Sequence, residues 1–393
     1  MLDIQRLRDD TPGVAHVIHL NNAGAALMPR PVLDTVTRHL EREAQIGGYE
    51  AADEAEKRLE GVYTSLAKLV NAAPDEIAVI ENGTRAWDMA FYALPLTAGD
   101  VILTSDTEYA GNYIAYLQRR VRDGVEIRVI PNDEQGGVSL IALRSMLGDE
   151  RVRLVSLPML ATNGGPVQPA AEIGALARAA GVWYLLDAIQ TVGQMPIDAQ
   201  AIGCDMLSAT SRKYLRGPRG MGFLYVRGDL YRRLEPPLLD LHAARLTGAE
   251  SYRLRGDARR FENWETNIAA KLGMGAAADY ALATGVEAIW ARISGLAASL
   301  RARLGGVKGV TVTDTAAHLS GIVTFTVAGY TAAEVQARLA GLTPRINVTV
   351  STRSSTLLDM TARGLESVVR ASVHAYNIEA EIEALADALT RLD

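Results

Sequence analysis

The sequence predicts an α/β fold, with a mostly parallel sheet covered by helices on both faces and a small α+β domain after it. Two patterns carry this expectation. Between residues 77 and 226, short apolar runs alternate with helix-like stretches, the order produced by strand–helix–strand crossovers. Two of those runs also end abruptly in polar residues. The run through Tyr184, Leu185 and Leu186 stops at Asp187, and the next stops in Thr210-Ser211-Arg212-Lys213. Ligands of open parallel sheets bind outside the carboxyl ends of the strands. Asp187 and Lys213 are therefore expected to face one crevice.

Composition narrows the class. At 393 residues the chain has room for one large and one small domain. It is 48% hydrophobic and 22% charged, as ordinary globular proteins are. A net charge of −6 gives no reason to expect nucleic acid or an anionic membrane as partner. The single cysteine, Cys204, excludes an internal disulfide and a cysteine-based metal cluster, and no metal site is expected. The first ten residues hold Asp3, Arg6, Arg8, Asp9 and Asp10 without an apolar core, unlike a secretory signal. No apolar run reaches the roughly 18 to 20 residues that span a bilayer. A soluble, cytoplasmic enzyme is the expectation.

The elements follow in order. Leu20-Asn-Asn-Ala-Gly-Ala-Ala stops at Pro29 and Pro31, and a helix is expected from there to residue 45, ended by Gly47-Gly48. Tyr49 stands in the loop that follows. Residues 53–70 read as one long helix, with Leu59, Val62, Leu66 and Leu69 on one face. Residues 77–80 form a strand that turns at Asn82-Gly83-Thr84 into a helix. Such a turn presents free N–H groups and a positive helix end, which suits a phosphate. It lacks the Gly-Lys-Ser/Thr signature of a nucleotide P-loop. Strands are expected at 100–105, 126–131 and 152–160, and a crossover helix at 170–180 before Asp187. After Leu230 the pattern is irregular. A helix is expected from Arg259 to residue 283, then an amphipathic helix at 288–304. Strands near 310–313, 321–327, 346–350 and 368–373 and a last helix at 379–392 complete the small domain.

Asp187, Gln190 and Lys213, in this order and spacing, suit pyridoxal phosphate. A lysine forms a Schiff base with the cofactor aldehyde, and an aspartate keeps the pyridine nitrogen protonated so that the ring accepts electrons. Here the sequence resembles the class V aminotransferase family of fold type I, over nearly the whole chain. That family includes cysteine desulfurases, selenocysteine lyases, isopenicillin N epimerases and hercynylcysteine sulfoxide lyases. Ser211-Arg-Lys-Tyr-Leu-Arg-Gly-Pro-Arg-Gly220 is most similar to the epimerase and sulfoxide-lyase branch, since desulfurases usually carry Ser-Gly-His-Lys here. The resemblance implies a seven-stranded type of sheet. It also implies an N-terminal segment (1–30) near the active site, a large cofactor-binding domain (31–285) and a small domain (286–393).

The resemblance also implies roles. Lys213 is the Schiff-base former and general base, and Asp187 holds the pyridinium. Gln190 and Asn163 contact the phenolic oxygen, although Asn163-Gly164 also suits a plain turn. Tyr109 stacks on the ring, or is a core aromatic. Gly83, Thr84 and Thr210 bind the phosphate, with Arg212 in place of the usual histidine. In Val369-Arg370-Ala-Ser-Val-His-Ala-Tyr-Asn377, Arg370 clamps the substrate carboxylate. Otherwise it needs a structural carboxylate partner. Asn22, at the substrate mouth, Tyr49 and Arg353 are further substrate candidates; Tyr49 and Arg353 read equally as exposed residues. Relatives place a threonine in a Phe-Glu-Ala-Gly-Thr-Pro-Asn segment against the neighbouring subunit's cofactor phosphate. Here Phe261-Glu-Asn-Trp-Glu-Thr-Asn-Ile puts Glu265 at that position. A homodimer with active sites at its interface is still implied.

For function, the region 348–358 holds no cysteine, whereas desulfurases need a mobile one to take up sulfur as persulfide. The leading expectation is a C–S β-lyase. It would convert an S-substituted cysteine, as a thioether conjugate or sulfoxide, to a thiol or sulfenic species, pyruvate and ammonia. Alternatives are an amino-acid epimerase, an aminotransferase, or an oxygen-using decarboxylating deaminase of secondary metabolism.

Overall fold

The computed structural model describes residues 2–392. Its centre is a seven-stranded sheet in the order Ile77–Ile80, Gly222–Val226, Met206–Thr210, Trp183–Asp187, Val152–Pro158, Val101–Thr104, Glu126–Val129. Gly222–Val226 runs antiparallel to both neighbours, and the other strands share one direction. The inner strands are buried on both faces, which is why they read as apolar runs, whereas the edge strand Glu126–Val129 is half-buried and alternates. Successive side chains still point to opposite sides. Tyr184, Leu186, Leu207 and Phe223 join one core, and Leu185, Met206 and Leu224 join the other with Trp87 and Phe91. Register places Asp187 beside Pro158 and Ser208, at the carboxyl edge of the sheet.

A four-stranded antiparallel sheet lies towards the C-terminus, in the order Val310–Val312, Ile322–Val327, Ser367–Ser372, Thr349–Thr352. The expected strand at 346–350 is divided. Arg345–Asn347 pairs in parallel with Val17–His19 near the N-terminus, and only Thr349–Thr352 joins the four-stranded sheet. The N-terminal segment claims the first part because Leu20 N–H donates to the Asn347 carbonyl at 2.9 Å, and Ser372 N–H donates to the Leu20 carbonyl at 2.8 Å.

Other expectations are corrected by the packing. The helix expected at 53–70 is two, Gly48–Glu54 and Glu56–Val70. Glu54 is held in a two-pronged pair with Arg42 of the preceding helix Arg30–Ile46, at 2.6 and 2.8 Å. Glu56–Val70 packs instead on the sheet and on the helix Ile268–Thr284. That last helix starts later than expected. The Glu262 carboxylate is drawn inward by the Val79 N–H at 2.7 Å and the Tyr63 hydroxyl at 2.8 Å, and Asn267 caps the helix beyond it. The stretch expected to be irregular contains a hairpin, Ala244–Gly248 with Ser251–Leu254. No helix among the described residues is long and apolar enough to cross a membrane.

Candidate active site

A cavity of about 210 Å³ opens at the carboxyl edge of the sheet. Strand ends and the turns after them supply its walls. Asp187 closes Trp183–Asp187, and Gln190 stands in the turn beyond. Thr210 closes Met206–Thr210, and Arg212 and Lys213 follow. Gly83 and Thr84 begin the helix Gly83–Ala93, and Tyr109 precedes the helix Ala110–Asp123. All of these residues line the cavity.

Asp187 is buried. Its Oδ1 accepts from the Ile189 N–H at 2.8 Å and its Oδ2 from Asn112 Nδ2 at 2.9 Å. Burial pushes its carboxyl up, and those two hydrogen bonds and Lys213 pull it back. Burial holds the Lys213 amine well below the usual lysine range. Arg212 and Arg370 add to that, and Asp187 opposes it. Lys213 is thereby an amine with access to its neutral form, as a nucleophile or base requires.

At the opposite wall the first N–H groups of helix Gly83–Ala93 have no intrahelical partner. Asn82 Oδ1 accepts from Arg85 N–H at 2.9 Å and so leaves those of Gly83 and Thr84 to the cavity. A Cβ on Gly83 would stand 2.9 Å from Ile189 and 3.0 Å from Thr210, so only glycine lets the turn sit this close. A pyridoxal phosphate fits this donor set. Gly83, Thr84 and Thr210 suit its phosphate, and Asp187 its pyridine nitrogen. Gln190, on the cavity wall, keeps Oε1 buried without a partner among the described residues.

Arg370 lies one layer back. Its Nη1 donates to the Thr162 hydroxyl at 2.8 Å and carbonyl at 3.1 Å, and Gln190 Nε2 donates to the same hydroxyl at 3.0 Å. Its Nε is buried without a partner among the described residues. Arg370 forms no ion pair with a carboxylate among the described residues, and burial lowers it to about 10. An unpaired buried guanidinium is costly, so an incoming anion gains what a structural carboxylate would otherwise take.

Four expected residues stand elsewhere. Asn163 is turned from the cavity, its Nδ2 donating to Thr356 Oγ1 at 2.9 Å. Its neighbours Gly164 and Gly165 adopt positive φ of 67° and 62° and bend the chain there. Asn22 is fully buried, and its amide bonds the Ser372 carbonyl at 2.7 Å and the Tyr376 hydroxyl. It fastens the N-terminal segment to the small sheet instead of meeting a ligand. Tyr49 is 72% exposed on the helix Gly48–Glu54. Arg353 pairs with Glu366 and donates from Nε to the Leu365 carbonyl at 3.1 Å, facing outward. Arg212 lines the cavity but donates to the Gly24 carbonyl, and so bridges the lysine turn to the N-terminal segment. Glu265 is exposed. The sequence reading missed Thr162, which joins Gln190 to Arg370, and Glu108 and Asn112 behind Asp187. The only local signal was the polar turns after strands that hold Thr162 and Glu108; Asn112 stands in the first turn of the helix Ala110–Asp123.

The profile of the class-V aminotransferases matches residues 18–385. A probable cysteine desulfurase of Methanothermobacter thermautotrophicus is 29% identical, over 98% of this chain and 97% of the relative. The apo cysteine desulfurase of Thermococcus onnurineus NA1 superimposes with a TM-score of 0.91 at 24% identity, covering 100% of this chain and 98% of that one. A cystine C–S lyase in complex with its product cysteine persulfide gives a TM-score of 0.86 at 25% identity, covering 97% and 99%. A second structure of that lyase, at 26% identity, TM-score 0.86 and coverage of 98% and 99%, carries glycine covalently linked to its pyridoxal phosphate cofactor. The epimerase and sulfoxide-lyase branch finds no support in these relatives. The fold is that of the fold type I enzymes, and the chain belongs to the class-V aminotransferase family, whose cofactor is pyridoxal phosphate.

Proposed function

We propose that the protein is a C–S lyase acting on an L-cysteine whose sulfur carries a second group, as a disulfide, thioether conjugate or sulfoxide. The observation that carries this reading is the position of its one cysteine. Cys204 is 1% exposed and precedes the strand Met206–Thr210, whereas Lys213 follows it. The two therefore lie beyond opposite ends of a five-residue strand, itself roughly 15 Å long at about 3.3 Å per residue. Burial also pushes the thiol up, away from the reactive thiolate. Where desulfurases carry their mobile cysteine, this chain has the 3-10 turn Arg353–Thr356, with Thr356 buried against Asn163. Sulfur then leaves to solution with whatever substituent it carries, and a substituted sulfur is the better leaving group. The cystine lyase among the relatives, with its persulfide product, supports a disulfide as one such substrate.

The residues divide the work. Arg370, held by Thr162, takes the substrate carboxylate and fixes the amino acid's orientation. Bound pyridoxal phosphate supplies the electron sink that makes the Cα–H bond acidic. Lys213, with its amine lowered by burial and two guanidinium groups, accepts the Cα proton. The electron pair of the Cβ–S bond departs with the substituted sulfur, which is protonated as thiol, persulfide or sulfenic acid. The remaining enamine takes up water to give pyruvate and ammonia. Asp187 would hold the pyridine nitrogen, Gln190 the phenolic oxygen, and Tyr109 would cover the ring. Gly111 leaves room for that cover, since a Cβ there would meet the Tyr109 ring at 2.8 Å.

The functional unit we infer is a homodimer. Leu241, Leu246, Tyr252 and Trp264 are all at least half exposed on the segment that holds Glu265, a cluster of apolar groups that suits burial by a second copy.

Intact-mass measurement after turnover with L-cysteine and L-cystine tests the central point. An unchanged protein mass, with sulfur recovered in small molecules, agrees with it. One sulfur added to the chain and discharged to an acceptor would establish desulfurase chemistry instead.

A further inference from the structure

Glu108 is 3% exposed, behind the cavity wall formed by Asp187. Its Oε1 accepts from the Tyr109 N–H at 2.8 Å and from Asn112 Nδ2 at 3.0 Å. Its Oε2 accepts from Thr104 Oγ1 and from the Tyr116 hydroxyl, both at 2.9 Å. Asn112 Nδ2 directs its second hydrogen to Asp187 Oδ2 at 2.9 Å. A single amide nitrogen therefore joins two buried carboxylates. No arginine or lysine among the described residues pairs with Glu108.

Two buried carboxylates sharing one amide are costly unless a cation compensates them. Lys213 reaches the pair only through Asp187 and is itself held towards its neutral form. The remaining candidate is the protonated pyridine nitrogen that Asp187 would hold in the loaded enzyme. We propose that Glu108, acting through Asn112, is a positioning residue: it fixes Asp187 Oδ2 and adds the second negative charge that keeps the cofactor's pyridine nitrogen protonated. This rests on the role given to Asp187 under the proposed function.

The surroundings agree. Burial, then Asp187, raises Glu108 to about 7, so a cation placed at Asp187 draws it to the carboxylate form near neutrality. Tyr116 is the other titratable group against it, and burial keeps that phenol protonated. Both fixed N–H groups, from Tyr109 and Asn112, point at Oε1. The Thr104 and Tyr116 hydroxyls are free to turn, so glutamine is accommodated at this position with its oxygen in place of Oε1.

Glu108→Gln, prepared as the holoenzyme, tests the proposal by two readouts besides turnover. The midpoint of the pH-dependent change in cofactor absorbance is expected to fall by about one unit, the usual size of a nearby-charge effect. Cofactor affinity should fall about tenfold. Asp187→Asn should move both in the same direction and further. Tyr116→Phe keeps the carboxyl but removes one donor, so it should give a smaller shift of the same sign. It carries the test if Glu108→Gln does not fold. If Asp187→Asn moves the midpoint while Glu108→Gln and Tyr116→Phe leave midpoint and affinity unchanged, the proposal is overturned and the role of Asp187 survives. If Asp187→Asn moves neither readout, the cofactor reading fails and takes the proposal with it.

Discussion

Arg370 and Thr162 are joined by two hydrogen bonds, at 2.8 and 3.1 Å, that hold a buried guanidinium whose Nε is unsatisfied and which has no carboxylate beside it among the described residues. An arginine held in this way is preorganised for an anion. Arg370→Ala is expected to lower kcat/KM on the order of 100-fold, mainly through KM, because it removes a charge-assisted pair. Cofactor absorbance should be unchanged. Thr162→Val, which removes only the hydroxyl anchor, should cost about tenfold. Steady-state kinetics beside a cofactor titration separate the outcomes. Loss of the cofactor in Arg370→Ala would mark Arg370 as structural.

Gly83 leaves no room for a methyl group between Ile189 and Thr210. Ile189 also donates its N–H to Asp187. Gly83→Ala should therefore disturb the phosphate turn and the pyridine end together, lowering cofactor affinity about tenfold. KM for substrate should change little once the protein is saturated with cofactor. Titration of the apoprotein with pyridoxal phosphate reads the first, and kinetics at saturation the second.

His374 is stacked between Tyr214 and Tyr376, with ring centroids at 5.7 and 5.1 Å. Ala375 N–H donates to its Nδ1 at 2.8 Å, so the proton sits on Nε2 and is donated to the Tyr214 carbonyl at 3.0 Å. Burial, then Arg216, lowers the imidazole to about 3. The unfolded value is about 6.5. Between the two the unfolded chain binds the extra proton. The contribution is therefore fully present above about pH 6.5 and is lost as pH falls towards 3, by up to about 1.4 kcal/mol per unit. Tm should fall with acidification below pH 6.5, and less steeply in His374→Gln. Parallel Tm curves would contradict this.

Cys204 has no place in the proposed chemistry. Cys204→Ala should retain kcat/KM to within about twofold and lose a little stability from the vacated methyl-sized volume, about 1 kcal/mol. In the native protein the thiol should resist alkylation and react only after denaturation. Activity measurements on Cys204→Ala, with thiol labelling of the native protein before and after unfolding, read both points.

Parts of this site were legible in the sequence because they are local. Asp187, Thr210 and Lys213 mark the ends of apolar runs, and Gly83 marks a strand-to-helix turn, so period and punctuation place them on one sheet edge. Other parts depend on contacts between distant residues. Asn112 reaches Asp187 across 75 positions, and Arg370 reaches Thr162 across 208. Nothing near either residue announces the partner. Asn22 looked like a ligand contact, but its amide is occupied by Ser372 and Tyr376, some 350 residues away. The division of the expected strand at 346–350 has the same origin, since an N-terminal strand competes for its first half.

The most direct measurement is pyruvate release by the cofactor-loaded protein from L-cystine, S-substituted L-cysteines and their sulfoxides, with free L-cysteine as the comparison. We predict rapid pyruvate from at least one substituted cysteine, equimolar with ammonia and the departing sulfur species, and much slower release from cysteine itself. Cofactor spectra that respond to these compounds without pyruvate, accompanied by racemised or transaminated amino acid, would contradict the lyase reading.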